Sequence, residues 1–142
     1  MKGTINFSGR AFIGQETKIF TDENAELLIG KKFLLQEKLK LYAKKKIQFG
    51  DNCLISWDNI IMDTDFHQIF DENLQLINEH REIIIGDKVR IGCRCVVLKG
   101  TKMPNNSILG AGSIIGKQMK FENSIYLGNP VICIKQNIFW NK

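Results

Sequence analysis

From Ile85 to Cys133 every sixth residue is apolar: Ile85, Ile91, Val97, Met103, Leu109, Ile115, Phe121, Leu127 and Cys133. A fixed period constrains architecture before any local propensity is weighed. Six residues are too few for a helical repeat, and no stretch carries a long 3.6-residue pattern. The next residue is glycine at Gly86, Gly92, Gly110, Gly116 and Gly128, and the fifth position is small or β-branched at Val89, Cys95, Thr101, Ser107, Ser113, Ile125 and Val131, with Met119 the exception. Side chains alternate along a strand, so the first and fifth positions point inward together and the third and fourth are left for a turn. Those turn positions hold Gly100, Asn106, Gly112, Asn105, Asn123 and Asn129, residue types that accept a positive φ. The pattern predicts an all-β solenoid of short parallel strands, three to an 18-residue coil. At about 4.8 Å per stacked strand, some six coils would stand on the order of 30 Å tall.

The first half keeps this frame less strictly, with Phe7, Ile13, Ile19, Ala25, Ala43, Phe49, Ile55 and Ile61 on the first position and Lys31 and Glu37 as polar exceptions. Ile29, Leu35, Leu41 and Ile47 fall on the fifth position and supply the core across that gap. The frame fails at residues 66–82, FHQIFDENLQLINEHRE, where His67, Asn73 and Glu79 would occupy core positions that unpaired polar groups cannot fill cheaply. This segment is predicted to be a loop protruding from a single domain spanning residues 1–142, and long loops in compact domains commonly carry function.

Twenty Lys and Arg against fifteen Asp and Glu give a net charge of +5, which suits an anionic partner. No basic stripe interleaves with aromatics as a single-strand groove requires, so nucleic acid is not expected. Met1-Lys2-Gly3 leads directly into alternating apolar residues without a signal-peptide stretch, and no run approaches a membrane span. A soluble cytoplasmic protein is expected. Cys53, Cys93, Cys95 and Cys133 form no CxxC pair and read as structural thiols.

The hexads, together with MDTDFHQI, a following loop containing Ile77-Asn78, then IIIGDKVRIGCRCVVLKGTKMPNNSILGAGSIIGK and LGNPVICIK, resemble the hexapeptide-repeat acyltransferases of the left-handed parallel β-helix class. The likeness is nearest to bacterial polysaccharide O- and N-acetyltransferases and to galactoside and maltose acetyltransferases. The left hand comes from this resemblance alone, since parallel crossovers ordinarily favour the right. The resemblance implies a homotrimer with acetyl-coenzyme A between neighbouring prisms, a sugar-type acceptor, and a histidine that takes the acceptor's proton. His67 stands at that position, with Asp65 and Asp63 to orient it or to hold acceptor hydroxyls. An imidazole suits the task because it can accept a proton near neutral pH and return it to the departing thiolate.

The resemblance places Cys93, Ala111 and Gly116 along the pantetheine and Lys117 and Lys135 near the nucleotide phosphates. Ile132 replaces a basic residue of that region, and Arg90 stands where relatives carry Trp. His80, among charged neighbours, and Lys44-Lys45-Lys46 read as solvated surface. Two other functions were weighed: a non-catalytic scaffold or binding subunit, which the hexads alone would satisfy, and a zinc carbonic anhydrase of the same β-helix class. The latter needs three histidine ligands, whereas the chain has His67 and His80 only, so no metal is expected.

Overall fold

The computed structural model describes residues 3–142. Five coils of three strands each wind through the chain: β1 (Thr4–Phe7), β2 (Ala11–Ile13) and β3 (Lys18–Thr21); β4 (Glu26–Ile29), β5 (Phe33–Leu35) and β6 (Lys40–Ala43); β7 (Lys46–Phe49), β8 (Leu54–Ile55) and β9 (Ile60–Met62); β10 (Ile83–Ile85), β11 (Arg90–Ile91) and β12 (Val96–Val97); β13 (Lys102–Met103), β14 (Ile108–Leu109) and β15 (Ile114–Ile115). Equivalent strands stack in parallel into three faces, with order β1-β4-β7-β10-β13, then β2-β5-β8-β11-β14, then β3-β6-β9-β12-β15. The second face continues through β16 (Ile125–Gly128) and an antiparallel β17 (Val131–Lys135).

The coil length explains why the hexad frame works in one half and slides in the other. The register steps 18 residues from Ile84 to Lys102, as the period requires. It steps 22 from Thr4 to Glu26 and 20 from Glu26 to Lys46, so residues four or two places out of phase stack in one column. Leu35 therefore lies between Ile13 and Ile55, and Leu41 between Ile19 and Ile61. Longer early coils and the inserted loop use up the sequence that would have formed a sixth coil. Phe7 and Ile13 sit in inward columns yet are exposed, because the first coil has nothing stacked below it.

A second slip lies beyond Ile115. Leu109 pairs with Tyr126, a step of 17, so Tyr126 and not Leu127 enters the core, its hydroxyl donating to the Phe121 carbonyl at 2.7 Å. Phe121 and Leu127 are exposed and Cys133 is half-buried, against the expectation that all three face inward.

The corners depend on left-handed backbone. Glu16, Lys38, Asp58, Arg94 and Gly112 turn from the second face to the third, all with φ between 55° and 74° except Arg94, at 56° likewise within that range. The amide of each of the last four donates to the coil beside it: Lys38 to Gln15, Asp58 to Glu37, Arg94 to Trp57 and Gly112 to Cys93. Positive φ aims these amides along the solenoid axis and so satisfies groups that a corner would otherwise orphan. Buried Thr101, Ser107 and Ser113 hydroxyls donate to carbonyls three residues back, at 2.6–2.7 Å, which is why the fifth position takes small polar residues.

Candidate active site

Between β9 and β10 the chain leaves the solenoid at the corner joining the third face to the first. The excursion folds on itself: Phe70 bridges Leu76 antiparallel, and Asp71 Oδ1 accepts the amides of Asn73 and Gln75 at 2.8 and 3.0 Å. At its base lies a cleft of about 380 Å³ lined by Lys44, Lys45, Asp65, Phe66, His67, Gln68, Leu76, Asn78, Glu79 and His80. His80 and the lysine corner, read from sequence as solvated surface, thus share a wall with His67.

His67 is exposed, and its amide donates to the Asp65 carbonyl at 2.7 Å. Asn78, from the returning limb, fixes the outgoing one: its Nδ2 donates to the His67 carbonyl at 2.7 Å and to Asp65 Oδ2 at 3.1 Å, while its Oδ1 accepts the Ile69 amide at 2.7 Å. Phe66 takes a φ of 65° and packs edge-on against Tyr42, with ring centroids 5.2 Å apart. That contact seats the turn carrying His67 on the solenoid wall.

The two aspartates part company. Asp65 lines the cleft, and its carboxylate meets the Lys99 ammonium at 2.6 Å. That hydrogen bond, with smaller help from Asn78, outweighs partial desolvation and holds the Asp65 carboxyl below its ordinary range. Asp63 is fully buried and outside the cleft's lining. Its Oδ1 accepts the Lys44 amide at 2.7 Å, and its Oδ2 accepts those of Lys45 and Lys46 at 2.8 and 2.7 Å. Grouping Asp63 with His67 as a reacting or orienting carboxylate is therefore corrected: every oxygen is committed to backbone, and its work is to fix the Lys44–Lys46 corner beneath the loop.

Cys93 and Ala111 line a second hollow, a groove of about 470 Å³ shared with Trp57, Arg90, Gly92 and Trp140, at the corner between the second and third faces. Trp140 folds back over the second face and its Nε1 donates to the Lys88 carbonyl at 2.9 Å. Gly116 and Lys117 follow β15 at the same corner as the loop, and Lys135 is exposed at the end of β17. One chain therefore spreads the five cofactor candidates over three places, and the groove and the His67 cleft share no residue. Lys99 and Asn78 escaped the sequence reading as site residues. The Lys99–Asp65 contact spans 34 positions with no local signature, whereas Asn78 lay in the quoted loop without an assigned role.

No protein-family model matches the chain. Individual proteins do. The polysialic acid O-acetyltransferase of Escherichia coli O1:K1 / APEC is 30% identical over 124 residues, which are 86% of this chain and 40% of that protein. The polysialic acid O-acetyltransferase of Neisseria meningitidis is 33% identical over 106 residues, 74% of this chain and 49% of the relative. Among solved structures, the polySia-specific acetyltransferase NeuO aligns with a TM-score of 0.80 at 28% identity, covering 99% of this chain and 68% of its own.

The chain is a relative of the hexapeptide-repeat acyltransferases. Its solenoid is the left-handed β-helix of that family, as the resemblance implied. A galactoside acetyltransferase in complex with coenzyme A, 21% identical with a TM-score of 0.73 over 92% of this chain and 64% of its own, shares the fold. The chain spans less than half the length of the two polysialic acid O-acetyltransferases, so family likeness covers the prism and not the whole of those proteins.

Proposed function

We propose that residues 1–142 act as one acyltransferase domain that moves an acetyl group from acetyl-coenzyme A to a hydroxyl or amine of a sugar-type acceptor, with His67 as general base. The observation that carries this reading is His67 itself, exposed in a cleft and held from both sides of its turn by Asn78 and the Asp65 carbonyl, in a chain related to O-acetyltransferases. The neutral imidazole takes the acceptor proton as its oxygen or nitrogen attacks the thioester carbonyl. The C–S bond then breaks, and the imidazolium returns the proton to the thiolate.

Asp65 supports the loop and Asp63 the corner below it. Cys93, Ala111 and Gly116 would lie along the pantetheine, with Lys117 and Lys135 toward the phosphates. Because the groove and the cleft lie on different corners, a neighbouring copy completes the site by setting its groove against this chain's His67, which supports a homotrimer. A cytoplasmic location fits the acetyl-coenzyme A supply, and no helix among the described residues is long and apolar enough to cross a membrane.

The test follows thiol release from acetyl-coenzyme A across sugars, nucleotide-sugars and sialic acid oligomers. With the responding acceptor, His67→Ala lowers turnover roughly 10²–10⁴-fold while acetyl-coenzyme A affinity and melting temperature hold. Undiminished turnover in the folded variant refutes the assignment. No acetyl-coenzyme A binding by the wild-type protein leaves the scaffold reading in its place.

A further inference from the structure

Lys99 sits at the corner after β12, on the coil above the loop, with a side chain only 12% exposed. A lysine is seldom so covered unless it is paired. Its ammonium donates to Asp65 Oδ2 at 2.6 Å and to the Glu79 carbonyl at 3.1 Å. Asp65 belongs to the limb that leaves the solenoid and Glu79 to the limb that returns, so one cation closes the neck of the loop. The chain of contacts continues to His67: Asn78 Nδ2 bridges the same Asp65 oxygen to the His67 carbonyl, and the His67 amide donates to the Asp65 carbonyl.

We propose that Lys99 is a positioning residue for His67, fixing the neck of the loop and neutralising the Asp65 carboxylate that shares the cleft. The role rests on the reading of His67 as general base, which needs the imidazole uncharged. The other charged or titratable groups facing the cleft are Lys44, Lys45, Glu79 and His80, and Lys44 lies 3.6 Å from Asp22. With Lys99 in place Asp65 adds little net negative charge. Without it, an unpaired carboxylate two residues from His67 favours the imidazolium and withholds the base until higher pH.

The chain has two histidines, so two imidazole C–H resonances report on it, and His67→Ala assigns them. In Lys99→Met the titration midpoint of the His67 resonance moves up by about half a pH unit, the effect of a unit charge on the order of 6 Å away in water-like surroundings. Adding Asp65→Asn to Lys99→Met removes that rise, while Lys99→Arg keeps the wild-type midpoint. Lys99→Gln, a smaller neutral change, gives the same rise should Lys99→Met fold poorly. Turnover at neutral pH falls several-fold in Lys99→Met, and acetyl-coenzyme A affinity does not. A His67 midpoint unchanged in both folded neutral variants overturns the proposal, and the resonance needs no acceptor to be read. Failure of the underlying reading shows separately, as turnover retained in His67→Ala.

Discussion

Asparagine at position 63 is the most discriminating change available, because it preserves shape and removes one acceptor and the charge. The Asp63 carboxylate accepts three backbone amides, one on Oδ1 and two on Oδ2. An amide side chain does best with its carbonyl toward Lys45 and Lys46, which sets its NH2 against the Lys44 amide, donor against donor. Two contacts then survive without the charge and one fails. A hydrogen bond to an ionised group is worth about 1.5–3 kcal/mol, and a buried donor left unmet costs about 1–3 kcal/mol. Asp63→Asn should therefore destabilise by about 3 kcal/mol, or roughly 10 °C in melting temperature for a chain of this size. Asp63→Ala, which strands all three amides, should cost about 5 kcal/mol, a large part of the stability of an ordinary domain. Equilibrium denaturation measures both. A catalytic carboxylate predicts the reverse pattern. Were Asp63→Asn to keep its denaturation midpoint while turnover dropped more than about 100-fold, the structural assignment of Asp63 would fall.

At Gly92 an added Cβ would lie 2.7 Å from the Ala111 amide nitrogen and 3.0 Å from its Cα, with backbone on every side. Gly92→Ala should cost about 2 kcal/mol by overpacking and weaken acetyl-coenzyme A binding. Gly112→Ala, at φ 74° with nothing within 4 Å of the new methyl, should cost only its backbone strain, about 1 kcal/mol; equal denaturation midpoints for the two would refute the crowding argument. Lys117→Glu or Lys135→Glu should weaken acetyl-coenzyme A binding more at low salt than at high, as calorimetry at two ionic strengths would show, and unchanged affinity in both places the nucleotide elsewhere. The folded Asp65 carboxyl lies below its unfolded value, so its stabilisation is present above about pH 3.9 and fades as pH falls through the folded value. Amide exchange in residues 65–80 should accordingly speed up more between pH 5 and pH 3, relative to the solenoid strands, than it does in Asp65→Asn; equal acceleration in both proteins counts against the Lys99–Asp65 clasp.

The hexads disclosed the fold because inward columns are a property of the chain's own spacing wherever a coil is 18 residues long. They misplaced Phe121 and Leu127 because a 17-residue step leaves the apolar content intact while moving every side chain to the opposite face. The longer early coils hid in the same way: Leu41 and Ile61 are neighbours in one column, 20 residues apart, and no six-residue frame joins them. Loop 66–82 was visible because its polar residues cannot be buried. The contacts inside it were not, since Lys99 reaches Asp65 and Asn78 reaches His67 only once the corner and both limbs have been built.

The division between the two aspartates did have a signal in the sequence. Ile19 is followed two residues on by Thr21 and Leu41 by Ala43, each fully buried, and Asp63 follows Ile61 at the same interval. Strand alternation alone carries Asp63 into the interior, where a carboxylate must be met by donors. Unpaired corner amides are the donors that a solenoid has in supply, and those of Lys44–Lys46 are one coil below. Asp65 would share that parity had the strand continued, but the chain turns at Thr64, whose hydroxyl accepts the Phe66 amide at 2.8 Å, and Phe66 enters left-handed backbone. The turn sends Asp65 and His67 outward together. Two carboxylates one residue apart thus acquire different work, one as the floor of the lysine corner and one as the anion that Lys99 must neutralise beside the histidine.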